Sequence, residues 1–155
     1  MHPAFNDFLH NVTFWSALSA WIIAQVTKVL CSLAMSRRVG MDWLTTLGGM
    51  PSAHSAAVSA LATSMGLHRG WQSPEFAFSI AFAVMIMIDA STVRRAAGLQ
   101  ARLLNEIVDK MFKEHLFSQD KLIELLGHTR LEVFLGLTMG IFAALLVNAA
   151  FALYA

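Results

Sequence analysis

From Phe14 to about Met35 the chain is almost continuously apolar, about 22 residues where a spanning helix needs roughly 20. A second apolar stretch, Pro51 to about Leu67, is shorter, and its small residues Ser52, Ala56, Ser59, Ala60 and Thr63 recur three or four apart. Such a stripe permits close helix contact and predicts a central place in a bundle. A third stretch runs from about Phe76 to Ala90, and a fourth from Leu131 to about Tyr154 with Gly136 and Gly140 in close-packing G-x-x-x-G spacing. Between the last two the pattern changes. Ala96, Ala97, Leu103, Leu104, Ile107, Val108, Met111 and Phe112 mark one helical face, and Arg102, Glu106, Asp109, Lys110 and Lys113 mark another. This predicts an amphipathic interfacial helix over about 93–115, with Glu106–Lys110 and Asp109–Lys113 as pairs four apart. Ser118 predicts the cap of a short helix, Gln119 to Leu126. The expected fold is all-α: a polytopic membrane helix bundle of about four spanning helices, with residues 1–155 forming a single membrane domain.

Composition agrees: 57% of residues are hydrophobic and 14% charged, against roughly 45–50% apolar in a soluble domain. Mean hydropathy is +0.59. The lone Cys31 rules out an intramolecular disulfide framework. The segment before Phe14 lacks the basic region of a cleavable signal, so the first apolar stretch is expected to be retained. The net charge of +1 says little, but its placement says more. With four spans, Arg37, Arg38, Arg94, Arg95, Arg102, Lys110, Lys113, Lys121 and Arg130 fall on one side, and Arg69 alone on the other. By the positive-inside rule the basic side is cytoplasmic and both termini face out. Nothing in this pattern calls for a nucleic-acid partner. Lys28 lies inside the first span, where it either snorkels to the interface or faces a polar cavity.

Candidate chemistry collects on the basic side. In Gly48-Gly49-Met50-Pro51-Ser52-Ala53-His54-Ser55, glycines and a proline lead into a helix whose first turn holds Ser52 and His54. Unpaired N–H groups and the positive helix end there favour an anion. Asp89 ends the third span, five and six residues before Arg94 and Arg95, and invites an ion pair. Thr129 with Glu132 fits the S/T-x-x-E capping box, and Glu132, four residues after His128, is also placed to orient it. Two histidines, a lysine, arginines and a helix N-terminus on one face suit hydrolysis of a phosphomonoester through a phosphohistidine. One imidazole attacks phosphorus, a carboxylate fixes its tautomer, and the other imidazole protonates the leaving alcohol. That chemistry needs no metal or cofactor, and the H-E-x-x-H zinc spacing is absent.

Pro51-Ser52-Ala53-His54 resembles the P-S-x-H motif of the type 2 phosphatidic acid phosphatases and vanadium-dependent haloperoxidases. Together with Asp89, Val93-Arg94-Arg95-Ala96-Ala97-Gly98 and Leu126-Gly127-His128-Thr129 with Glu132, it is similar to the divergent, bacterial and plastid branch of that superfamily. The resemblance implies His128 as nucleophile, His54 as general acid, Glu132 as orienting carboxylate and Lys28 as a phosphate ligand. It also implies a bacterial inner membrane or a plastid membrane, with a lipid phosphate as substrate. The sequence departs from the larger family in three places. Position 35 is Met where an arginine is usual, position 122 is Leu where the last motif has arginine, and Glu132 replaces aspartate. Arg94 or Arg95 is expected to supply the guanidinium. Two other readings stay open: a phosphate- or anionic-lipid-binding membrane protein without turnover, and a transporter-like homo-oligomer.

Overall fold

The computed structural model describes residues 7–36, 50–111 and 127–154. After a helical turn at 7–9 they form five longer helices: α1 (Val12–Ser36), α2 (Ala53–Arg69), α3 (Pro74–Ser91), α4 (Val93–Met111) and α5 (Arg130–Tyr154). Among the described residues there is no strand. The loop 37–49, the expected end of the amphipathic helix beyond Met111 and the short helix expected over 119–126 lie outside these residues.

Local signals set the helix ends. Asn11 Oδ1 accepts from Phe14 N at 3.0 Å, so α1 starts a little before the apolar run. Ser52 and Ser73 cap α2 and α3, with Pro74 in the first turn of α3. Gly70 closes α2 at φ +89°, a backbone conformation that disfavours any side chain. At the other end of α3, the Thr92 N–H and hydroxyl both donate to the Ile88 carbonyl, at 2.9 and 2.6 Å. The chain turns there and α4 begins at once.

By length and composition, three helical stretches are able to cross a membrane: Val12–Ala34, Pro74–Val108, which contains α3, and Arg130–Leu153. The expectation of about four spans thus resolves into three such stretches and one shorter helix. That helix, α2, has 17 residues, about 25 Å against roughly 30 Å of hydrocarbon. It is nevertheless the centre of the bundle, packed on α1, α3 and α5, while α1 also packs on α5.

The interior is built from small residues. Ala20, Ala24, Ala53, Ala56, Ala60, Ala143 and Ala144 form the core cluster, and the largest fully buried side chains are serines. Large apolar side chains such as Phe78, Met85, Phe142 and Leu146 point outward. In lipid an outward leucine costs nothing, so helices associate where backbones can approach closely. Gly136 and Gly140 show this directly. A Cβ on Gly136 would run into the Ser52 carbonyl oxygen, and one on Gly140 into the Ala56 carbonyl and the Ser59 hydroxyl. The Ser59 hydroxyl donates to Leu137 O at 3.1 Å across the same seam. Towards the opposite end of the bundle, Asn148 Nδ2 donates to Ser16 Oγ at 3.1 Å and to Ser64 Oγ at 3.2 Å, joining α5, α1 and α2.

On α4 the outcome differs from a simple apolar-inward reading. Leu99, Leu103, Leu104 and Ile107 are exposed, while Gly98 and Asn105 are buried. Among the described helices α4 packs only on α3. Glu106 pairs back with Arg102 at 3.3 Å; the side chains of Asp109, Lys110 and Lys113, which the expected pairs involve, lie outside the described residues.

Candidate functional site

Where α5 begins, the sequence Gly127-His128-Thr129-Arg130-Leu131-Glu132 folds into a reciprocal cap. Glu132 N donates to Thr129 Oγ1 at 3.3 Å, and Thr129 N donates to Glu132 Oε2 at 3.0 Å. The same carboxylate oxygen lies 3.0 Å from His128 Nδ1. One carboxylate therefore both caps the helix and grips the imidazole. His128 is buried, at 3% exposure, and the Glu132 side chain is 18% exposed, so this contact is largely shielded from water.

Three other helices reach this corner. His128 N donates to the Ala90 carbonyl at 3.1 Å, fixing α5 to the last turn of α3, next to Asp89. Ser52 N donates to the Glu132 carbonyl at 3.1 Å, fixing the start of α2 to the first turn of α5. From α1, the part-buried Lys28 interacts electrostatically with Glu132. The Ser52 hydroxyl turns back on its own helix, accepting from Ser55 N at 3.3 Å and from Ser55 Oγ at 3.0 Å.

The structure thus brings His128, Glu132, Lys28 and the Ser52 backbone to one place. His54 is placed differently. The α2 residues that meet α5 are the cap Ser52 and, on the helix, Ala56 and Ser59, and His54 lies about 200° around the helix from Ala56, at 100° per residue. It is exposed, on the side of α2 turned away from α5. Asp89 is part-buried and Arg95 is exposed. The Arg94 side chain lies outside the described residues; its backbone is in the first turn of α4. Among the described residues no three His, Cys, Asp or Glu side chains are grouped to hold a metal ion.

The sequence profile of the divergent PAP2 family matches residues 9–143. The chain belongs to that family. A similar protein is a Bacillus subtilis (strain 168) protein named as uncharacterized membrane protein YuiD, 42% identical over 152 residues, covering 91% of this chain and 96% of its own. No solved structure matches the chain.

In this divergent PAP2 protein the corner also depends on the Ala90 carbonyl, and two buried polar residues of the bundle likewise carried no sequence motif. Ala90 contributes only its carbonyl, which no side-chain pattern can announce. Asn105 and Gln25 are each buried at 7% exposure, and a polar residue inside an apolar or amphipathic helix is the available signal for both. Gln25 lies one turn before Lys28 on α1, and its Oε1 has no hydrogen-bond partner among the described residues.

Proposed function

We propose that this divergent PAP2 protein is an integral membrane phosphatase, acting on a lipid phosphomonoester through a phosphohistidine at His128. The observation that carries the reading is the 3.0 Å contact between His128 Nδ1 and the Glu132 carboxylate. A carboxylate accepting the Nδ1 proton leaves the lone pair on Nε2, which is the nucleophilic tautomer. Nε2 forms the bond to phosphorus, the bond to the ester oxygen breaks, and the leaving alcohol takes a proton from an acid at the exposed start of α2, the role that the P-S-x-H motif gives to His54. Water then attacks the phosphohistidine, releasing inorganic phosphate and the free imidazole. Lys28, the amides that follow Ser52 in the first turn of α2 and the arginines Arg94 and Arg95 offset the charge on the phosphate oxygens, with Asp89 positioning the arginine pair. No cofactor enters this scheme. The nine-to-one distribution of basic residues supports a cytoplasmic active face, and the family resemblance is what points to a bacterial inner membrane or a plastid membrane.

A second reading, phosphate or anionic-lipid binding without turnover, is favoured by one observation: His54 sits on the side of α2 away from α5. Rapid-quench trapping with labelled substrate separates the two. On the catalytic reading His128→Ala abolishes the phosphoenzyme, while His54→Ala slows a lipid phosphate far more than an activated aryl phosphate, whose leaving group needs little protonation. Phosphate binding with no phosphoenzyme in the unmodified protein establishes the second reading.

A further inference from the structure

A groove of about 490 Å³ runs between α1 and α5 and ends at Met50 and Pro51, directly before Ser52. From α1 it is lined by Ile23, Thr27 and Cys31, and from α5 by residues from Leu135 to Leu146. At 1.5 Å per residue these segments are about 12 and 16 Å long, and both belong to membrane-crossing helices. Its two threonines offer little polar surface. Thr27 Oγ1 donates to Ile23 O at 2.8 Å and Thr138 Oγ1 to Leu135 O at 3.0 Å, so both hydroxyls are spent on their own helices. What remains facing the groove is hydrocarbon and one thiol.

The head of this groove is continuous with the polar corner. Cys31 is one helical turn from Lys28, and Leu135 one turn from Glu132, while Pro51 adjoins the Ser52 amide that binds the Glu132 carbonyl. The groove therefore begins beside a cation and a helix N-terminus and descends into the bilayer with no further polar group. A molecule that matches it has an anionic head and one long apolar tail.

We propose that the α1–α5 groove holds a single hydrocarbon chain of a lipid phosphate whose head lies against Lys28 and the start of α2. This rests on the functional reading above, since it assigns the tail of the molecule whose phosphate that site takes. Inside a bilayer the chain gains little by leaving its neighbours, because lipid tails are as apolar as the groove. The head supplies the attraction, and the groove decides which tails can follow it.

The thiol already in the groove supplies the test. The protein is placed in phosphatidylcholine nanodiscs, and Cys31 is labelled with a membrane-permeant maleimide; a second preparation carries Ile23→Cys with Cys31→Ser, moving the thiol to the deep end. Hexadecyl phosphate is expected to slow labelling at both positions by about tenfold, the occupancy that roughly 1.4 kcal/mol of preference gives. Butyl phosphate should protect position 31 alone, and hexadecanol neither. Lys28→Ala should remove protection at both. Equal protection by hexadecanol, no protection at the deep position, or cross-linking of Cys31 between two copies of the chain each overturns the proposal. The catalytic reading fails separately. A protein that shows the graded protection yet hydrolyses no phosphomonoester keeps the groove and loses the chemistry, and one that hydrolyses hexadecyl phosphate without protection does the reverse.

Discussion

Ser52 N donates to the carbonyl oxygen of Glu132 at 3.1 Å, so the start of the central helix is bound to the residue that holds His128. This bond requires α2 and α5 to lie almost backbone to backbone, and Gly136, one turn beyond Glu132, makes room for it. A Cβ there would meet the carbonyl group of Ser52 itself.

Gly136→Ala should therefore destabilise the protein by about 1–3 kcal/mol, the usual cost of overpacking, and Gly140→Ala by a similar amount. Thermal unfolding in detergent would show a lowered Tm for both, with the outward-facing Leu146→Ala close to unchanged. A Gly136→Ala protein as stable as the original would mean that the seam is looser than described.

Glu132 has two duties that substitution can divide. Glutamine still completes a capping box, so Glu132→Gln should retain stability, yet a neutral amide no longer stabilises an imidazole that gains positive character during phosphoryl transfer. Phosphoenzyme formation should fall roughly a hundredfold, the lower range for loss of an electrostatic contribution. Thr129→Ala should do the opposite, costing about 1 kcal/mol of stability with little effect on transfer. If the two variants behaved alike, Glu132 would be a cap and nothing more.

The buried amide of Gln25 is a stability liability, because an unfilled acceptor in the interior keeps its desolvation cost. Gln25→Leu is expected to raise Tm by a few degrees, at roughly 2–4 °C per kcal/mol for a chain of this size. A fall in Tm would reveal a partner that this residue needs.

At the far end, Asn148 joins three helices through Ser16 and Ser64. Interhelical hydrogen bonds in membranes contribute on average about 0.6 kcal/mol and at most about 2, so Asn148→Leu should cost about 1–2 kcal/mol. Because the site lies at the opposite end, phosphate binding in the folded fraction should be unchanged; a loss of binding there would show that the two ends are coupled.

The orientation is checked with exposed positions in the described helices. In a Cys31→Ser background, Arg95→Cys should react with an impermeant thiol reagent only from the cytoplasmic side, and Arg69→Cys only from outside. The reverse pattern would move the site to the other leaflet.

Much of the fold was legible in the sequence because membrane-crossing helices announce themselves by length and apolarity alone, and because caps are local. Thr129 and Glu132 make the capping box that their spacing predicts, and the Gly136/Gly140 pair packs as small residues should. The central role of α2 was readable too, since a stripe of serines and alanines has value only against other helices. The tertiary structure decided what spacing cannot. His54 and Ser52 share a motif, but Ser52 is the buried cap while His54 lies exposed in the first turn, and only the position of α5 made one side of α2 inner and the other outer. The apolar face of α4 predicted a helix, while the bundle determined that Gly98 and Asn105 are buried and the leucines are not. The corner around His128 is closed by the carbonyl of Ala90 and the amide of Ser52, backbone groups that every residue but proline carries in full. Their meeting depends on how four helices pack, and that follows from the summed fit of small side chains rather than from any residue's identity.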